Sequence, residues 1–400
     1  MLCQGKLKRH PAAWKGAVSR FSPAAAGRPG EIPAYGSGPK RATENGAKRL
    51  QTTVSTSTDI QDLTLQQLTD WLVSRGIEPY RGRQIFRWLY QRQADDFQAM
   101  TDIRRDIRAL LSEHFRLERL QREDCRHSDD GSRKYLFRLH DGLFIESVLI
   151  PEDSHYTLCI SSQVGCAQGC RFCMTARGGL SRNLSMGEIT AQIRDIQREV
   201  PIGRRLRNIV FMGMGEPLAN LRQVLRAIGV MTDNDNGLKF STRRITVSTA
   251  GLVPAMEKLG RASDVNLAVS LNATDDRTRD RLMPINRRYP LDRLLEACRR
   301  YPLRHRRMIT FEYILLAGIN DSPDDARRLA RMLRPIRAKI NLIPFNEHAG
   351  SDFRCPSEEV ILNFRQILHD HHYTAIVRRS KGRDIDAACG QLRANQLASF

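Results

Sequence analysis

The sequence predicts an α/β protein, a partial (β/α) barrel with a small N-terminal helical domain and a β-hairpin extension. Three observations predict it. Beyond residue 155, short apolar runs alternate with amphipathic stretches, the texture of a parallel sheet with right-handed helical crossovers. Roughly six such units over about 220 residues suit a partial or full barrel. Ahead of them, residues 63–115 carry helical periodicity and residues 134–150 alternate every second position around a turn. At 400 residues and 41% hydrophobic, the chain can bury a sizeable core.

Taken in order, residues 1–58 are rich in Lys, Arg, Ala, Gly, Ser and Pro and hold no acidic residue before Glu31. That composition fits a basic disordered tail, a transit segment or a start-site artefact. Residues 59–118 read as a helical accessory domain suited to binding RNA. Leu63, Leu65, Leu68, Trp71 and Leu72 fall close to one helical face, Gly76 ends that helix, and Arg83 opens another. Residues 119–154 read as a β-hairpin linker, with KYLFRLHDGLFIESVLI turning at His140-Asp141-Gly142. The barrel is placed at 155–380, with strands at 157–161, 208–212, 244–248, 265–271, 308–316, 339–344 and 374–377. Helices are placed between them at about 186–199, 220–232, 252–259, 290–301, 322–333 and 356–371. Residues 381–400 form a C-terminal segment. Chemistry in such barrels sits at the C-terminal ends of the strands.

Charge narrows the partners. Lys plus Arg number 64 against 44 acidic residues, a net +20, and 54 of the 64 are Arg. Such an excess points to a polyanion, and Arg suits RNA because its planar guanidinium forks onto phosphate and stacks on bases. No run of 18 apolar residues predicts a transmembrane helix, and no basic amphipathic helix predicts a membrane partner. The first twenty residues hold no apolar core of a secretory signal, so a cytoplasmic location is expected, or an organelle if residues 1–58 are a transit peptide. Nine Cys, an odd number, argue against a disulfide framework and for a reducing compartment.

Three of those Cys lie within eight residues, in Cys166-Ala-Gln-Gly-Cys170-Arg-Phe-Cys173. Three thiolates on one loop can each hold one iron of a [4Fe–4S] cube and leave the fourth iron open. A structural zinc site wants four ligands, and only His155 stands near enough to be the fourth. Other residues carry bland readings by themselves. Gly213-Met-Gly-Glu-Pro-Leu218 is a turn, Asn272 and Asn346 are caps, Glu146 on a hairpin strand faces solvent, and Cys159 and Cys389 are small core residues.

Taken together, these motifs change that reading. The Cys run, Ser161-Ser-Gln-Val-Gly before it, Gly213–Leu218 and Asp384-Ile-Asp-Ala-Ala-Cys-Gly-Gln-Leu392 resemble the RlmN family of the radical SAM superfamily, which methylates adenosines of 23S rRNA and tRNA. The resemblance spans residues 60 to 395 or so and implies a barrel of radical SAM type. It implies one [4Fe–4S] cluster on Cys166, Cys170 and Cys173, with S-adenosylmethionine (SAM) on the open iron. It places SAM contacts at Gly215, Glu216, Ser248, Ser270, Leu271, Asn272 and Asn346. Many relatives have His where Asn272 stands, and Asn keeps a donor and an acceptor there.

The resemblance also implies roles for Cys389 as the methyl carrier, Cys159 as the resolving thiol that forms a transient disulfide with it, and Glu146 as the proton acceptor. C2 of adenine is not nucleophilic, so ordinary methyl transfer fails there. The implied route methylates Cys389 with one SAM and cleaves a second to a radical that takes hydrogen from that methyl. The resulting methylene adds to C2 of a base splayed out of the RNA. An external one-electron reductant of flavodoxin type and a monomeric enzyme complete the expectation. The rivals are methylation of C8 of the same rRNA adenosine, as in Cfr-type relatives, and a non-catalytic zinc-stabilised RNA-binding protein.

Overall fold

A computed structural model describes residues 58–393 apart from Glu118 and Ala349. Except for Thr58, the tail predicted at 1–58 lies outside the described residues, as do Cys3 and the end of the C-terminal segment, residues 394–400.

The centre is a ten-stranded sheet whose spatial order follows the chain. Its strands are β1 (Gln121–His127), β2 (Arg133–Arg138), β3 (Phe144–Pro151), β4 (Tyr156–Cys159), β5 (Leu206–Phe211), β6 (Ile245–Thr249), β7 (Asn266–Ser270), β8 (Ile309–Leu315), β9 (Ala338–Pro344) and β10 (Ala375–Val377). Strands β4 to β10 run parallel, as the alternating pattern predicts. The sheet is open, with β10 at one edge and β1 at the other, so the barrel is partial and not full.

Helices fill every crossover: α4 (Met186–Gln197), α5 (Leu221–Thr232), α6 (Val253–Ala262), α7 (Asp276–Leu282) with α8 (Leu291–Arg300), α9 (Pro323–Leu333) and α10 (Glu358–Asp370). Their starts are chemically marked. Ser185 and Glu188 form a capping box on α4, and Ser322 does the same with Asp325 on α9, where Pro323 follows the cap. Helices cover the strands, so β8 (ITFEYIL) is buried at six of its seven positions, as both-face burial of a parallel strand requires.

Residues 119–154 are more than a linking hairpin. Strands β1 to β3 form an antiparallel extension of the same sheet, joined through β3 to β4 with Val148 opposite Cys159. Upstream stand three helices, α1 (Leu65–Val73), α2 (Tyr80–Tyr90) and α3 (Arg105–His114), of which the sequence foretold the first two. Leu68, Leu72, Ile85, Phe86, Leu89, Ile107 and Leu111 continue into the same apolar core as the sheet. Polar contacts add to that seam: Gly187 N donates to Asp62 Oδ1 (2.7 Å) and Arg226 Nη2 to the Asp62 carbonyl (2.5 Å).

Candidate functional site

A cleft opens at the C-terminal ends of β5 to β8, where barrel chemistry is expected. Its walls include Gly215 and Glu216 after β5, Ser248 near the end of β6, and Ser270 and Asn272 at the end of β7. Cys166, Cys170 and Cys173 form its roof with Cys389 and Gly390.

The cysteine loop is shaped by its flanks. Gln163–Gly165 pairs antiparallel with Leu180–Asn183, and Cys166 N donates to the Gly179 carbonyl (2.7 Å). Inside that clip, Arg171 N donates to Leu282 O (3.0 Å) and Met174 N to Gly390 O (2.7 Å), which fastens the loop to α7 and to the Cys389 segment. Burial pushes the Cys166 thiol up to about 12 and the Cys170 thiol well above the usual range, so without iron these are neutral thiols.

The donor set fits a cube and not a single ion. Among the described residues no three His, Cys, Asp or Glu side chains converge on one metal-ion position. His155 stands just before β4 and bonds Asn208 (2.9 Å), at the opposite end of the strand from Cys159 and roughly 13 Å along it. It cannot complete a zinc site with the cysteine loop.

The sites inferred for SAM divide into wall and support. Gly215 adopts φ +100°, and a Cβ there would meet the Gln163 side chain at 2.6 Å, so only glycine fits. Glu216 accepts from Leu218 N (3.1 Å) and Ala250 N (2.8 Å) and presents its remaining lone pairs to the cleft. Asn272 lines the cleft in a left-handed conformation (φ 57°), which Asn tolerates. Its Oδ1 accepts from Ile314 N (2.8 Å) and its Nδ2 lies 3.3 Å from Met283 Sδ, so the amide is largely committed to the protein. Leu271 and Asn346 stand outside the lining. Leu271 is buried, its N–H donating to the Glu312 carbonyl (3.0 Å) and its own carbonyl accepting from Arg279 Nε (2.9 Å), whereas Asn346 Nδ2 ties Ser380 Oγ (2.9 Å) to the Cys389 carbonyl (3.3 Å).

One wall residue escaped the sequence. Glu312, mid-strand in β8, accepts from Asn341 through Oε1 (3.0 Å), while its buried Oε2 has no partner among the described residues. An orphaned acceptor in a cleft fits a polar ligand with a donor to spare.

Cys389 is exposed towards the cleft; surrounding protein nonetheless raises its thiol, with the Arg378 guanidinium opposing. Cys159, the last residue of β4, is buried and pushed up to about 12 by burial and then by the charge of Cys389. Glu146 lies on β3, two residues from Val148, the partner of Cys159, so the two share one face of the sheet. It is 4% exposed, not solvent-facing, 3.3 Å from Lys134 Nζ, with Oε2 accepting from Arg393 N (2.7 Å). Burial raises its carboxyl and Lys134 pulls it back. Of the remaining Cys, Cys298 is buried on α8, and Cys125 and Cys355 are half-buried away from the cleft.

Burial lifts Glu216 to about 7, against the amides of Ala250 and Leu218 and the Thr249 hydroxyl. The folded protein therefore holds this proton more tightly than the unfolded chain, whose Glu titrates near 4.5. Its contribution to stability is fully present below about 4.5 and is lost as pH rises through about 7, on the order of 3 kcal/mol in all. Urea unfolding of the ligand-free protein across that window should show a shallower pH dependence in Glu216→Gln. Parallel curves would remove the assignment.

Comparison with known proteins shows the family of the chain. Residues 160–330 match the model of the radical SAM superfamily, and residues 58–117 that of the ribosomal RNA large subunit methyltransferase N-terminal domain. The chain is 58% identical over 340 residues to the dual-specificity RNA methyltransferase RlmN of Geobacter sulfurreducens, covering 85% of this chain and 93% of that one. It is 55% identical over 348 residues to the protein of the same name from Desulfosudis oleivorans, 87% and 94% covered. The crystal structure of a radical SAM methyltransferase from Sphaerobacter thermophilus superposes with a TM-score of 0.81 at 46% identity, over 84% of this chain and all of that one.

Proposed function

Since the chain belongs to the RlmN family of radical SAM RNA methyltransferases, with a [4Fe–4S] cluster and SAM as cofactors, we propose that it methylates C2 of adenosine in 23S rRNA and tRNA. The observation that carries this reading is the meeting of Cys389 with the three-cysteine loop and Gly215-Glu216 in one cleft, with Cys159 and Glu146 beside it.

Cys166, Cys170 and Cys173 would hold the cluster, and Gly215, Glu216, Ser248, Ser270 and Asn272 would hold SAM, with Leu271 and Asn346 supporting them. When bound, these cofactors supply a methyl group and hydrogen-atom abstraction from it. Cys389 Sγ gives up its proton and takes the methyl group, helped by Arg378, whose charge favours the thiolate. The methyl carbon on Cys389, once it has lost a hydrogen atom, bonds to C2 of the adenine, and the unpaired electron this leaves on the base would pass back to the bound cluster. Glu146 then takes the C2 proton at its carboxylate, which Lys134 and the Arg393 amide hold in place. Deprotonated Cys159 Sγ then bonds to Cys389 Sγ as the bond from that sulfur to the carbon breaks; the electron pair and a proton complete the methyl group of the leaving base, and the resulting disulfide needs external two-electron reduction before another turnover.

An external one-electron reductant of flavodoxin type, a monomeric enzyme and a cytoplasmic setting belong to the same reading. No helix among the described residues is long and apolar enough to cross a membrane. With a net charge of +20, RNA affinity should fall steeply between low and physiological salt, measured by fluorescence anisotropy. A flat response would show that the basic surface does not dock the RNA.

The deciding experiment is anaerobic reconstitution followed by mass spectrometry of nucleosides from rRNA and tRNA, before and after deuterium exchange at C8. Retention of exchangeable hydrogen at C8 in the methylated adenosine supports C2. A product that no longer exchanges there is the C8 isomer, and the reading gives way to the Cfr-type reaction.

A further inference from the structure

Among the described residues two Arg side chains are completely buried, and one of the two has an acid to itself. Arg194 pairs with Asp195 at 2.9 Å. Arg279, on α7, has no carboxylate within ion-pair distance among the described residues, and its N–H groups go to neutral oxygens. Nε donates to Leu271 O (2.9 Å), Nη2 to Ala250 O (2.8 Å) and Ser270 O (3.1 Å), and Nη1 to Asn286 Oδ1 (2.9 Å). Asp276 and Asp280 stand one layer further out, held by Asn286 Nδ2 at 2.9 and 2.7 Å.

A buried cation without a contact anion is costly and calls for compensation. The packing shows where it comes from. Leu282 and Met283, three and four residues after Arg279 at the end of the same helix, pack with Phe172, Cys170 and Cys173, and the Leu282 carbonyl holds Arg171 N. The carbonyls that Arg279 gathers belong to the ends of β6 and β7, beside Ser248, Ser270 and Asn272. Burial draws the guanidinium down to about 10, and Cys170, once deprotonated as a cluster ligand is, is the foremost charge restoring it. A cube held by three thiolates is net negative, the charge this position lacks.

We propose that Arg279 is a positioning residue, the buried counter-charge of the cluster and the brace that fixes the β6 and β7 ends where SAM is held. The inference rests on Cys166, Cys170 and Cys173 as cluster ligands. Its two functions separate by substitution. Arg279→Lys keeps the charge and loses the four-point hold, whereas Arg279→Met and Arg279→Gln lose both.

The test reconstitutes wild type and the three variants anaerobically and measures iron and sulfide per chain, the cluster midpoint potential by EPR-monitored titration, and SAM affinity by equilibrium dialysis. The Lys variant should keep the wild-type midpoint and bind SAM at least tenfold more weakly. The neutral variants should bind SAM as weakly and titrate at a more negative potential, because a positive charge favouring the reduced cluster is gone. A merely structural residue would lower the melting temperature without moving the midpoint. A wild-type midpoint in a folded, fully loaded Met or Gln variant overturns the counter-charge, and if neither folds the Lys variant still decides the brace. Wild-type SAM affinity in the Lys variant overturns the brace. Loss of the ligand assignment itself reads differently, as wild-type protein that takes up no cluster.

Discussion

Cys166→Ala, Cys170→Ala and Cys173→Ala should each abolish cluster binding and all SAM cleavage while leaving the fold intact. Three thiolates are what a cube with one open iron requires, so losing any one of them leaves too few ligands. The loop does not depend on the sulfurs for its shape. Backbone hydrogen bonds from Cys166 to Gly179, Arg171 to Leu282 and Met174 to Gly390 survive each substitution. Losing one sulfur from a loop at the cleft should cost about 1 kcal/mol or less, far too little to unfold the chain. Iron analysis, absorbance near the usual iron–sulfur band and deoxyadenosine release measure the effect. Full iron content and SAM cleavage in any one variant would sink the ligand assignment.

The second large effect separates two thiols that the sequence alone leaves equivalent. Cys389→Ala removes the proposed methyl carrier, so neither methylated protein nor modified RNA should form. Cys159→Ala leaves methylation of Cys389 and addition to the base possible, and takes away the sulfur that would release the product. The variant should accumulate protein with RNA covalently attached through Cys389, visible as a nuclease-sensitive mass shift, with turnover reduced by orders of magnitude. Burial suits Cys159 to that late role: its thiol, held near 12, stays protonated and unreactive until something opens the site. If Cys159→Ala methylates RNA at the wild-type rate and carries no adduct, Cys159 is a core residue.

How much was legible follows from where the information lies. The seven parallel strands could be read because each is a short, largely apolar run between amphipathic helices, and predicted limits fall within a few residues of those observed. Strand β1, QREDCRH, was not legible: it is an edge strand, largely charged, with no alternation, and it exists through pairing with β2. The clip made by Gln163–Gly165 and Leu180–Asn183 is too short for any periodicity to register. The cysteine loop, Gly215-Glu216 and Cys389 were legible because motif and spacing sit in one stretch of chain. Glu312 and Arg279 were not, since a Glu in Phe-Glu-Tyr and an Arg on a charged helix look ordinary until the fold buries them. Lys134 as the partner of Glu146 belongs to the same class, a contact made across strands.

The open sheet has one further consequence. After β10 the chain leaves one edge and fastens to the extension at the other: Gly382 N donates to Asp130, Ser128 Oγ to Asp384, Lys134 Nζ to the Asp386 carbonyl, and Lys381 reaches the Pro151 carbonyl. Arg393 N, past Cys389, is pinned to Glu146. The residue proposed to carry the methyl group therefore sits in the middle of a clasp that joins the two ends of the sheet, anchored before and after itself. A thiol so tethered has little reach, and swinging it outward would mean unlatching the domain. In the proposed reaction the base has to do the travelling, which ties turnover to how far an RNA can present one nucleotide and makes the enzyme a reader of strand deformability as much as of sequence.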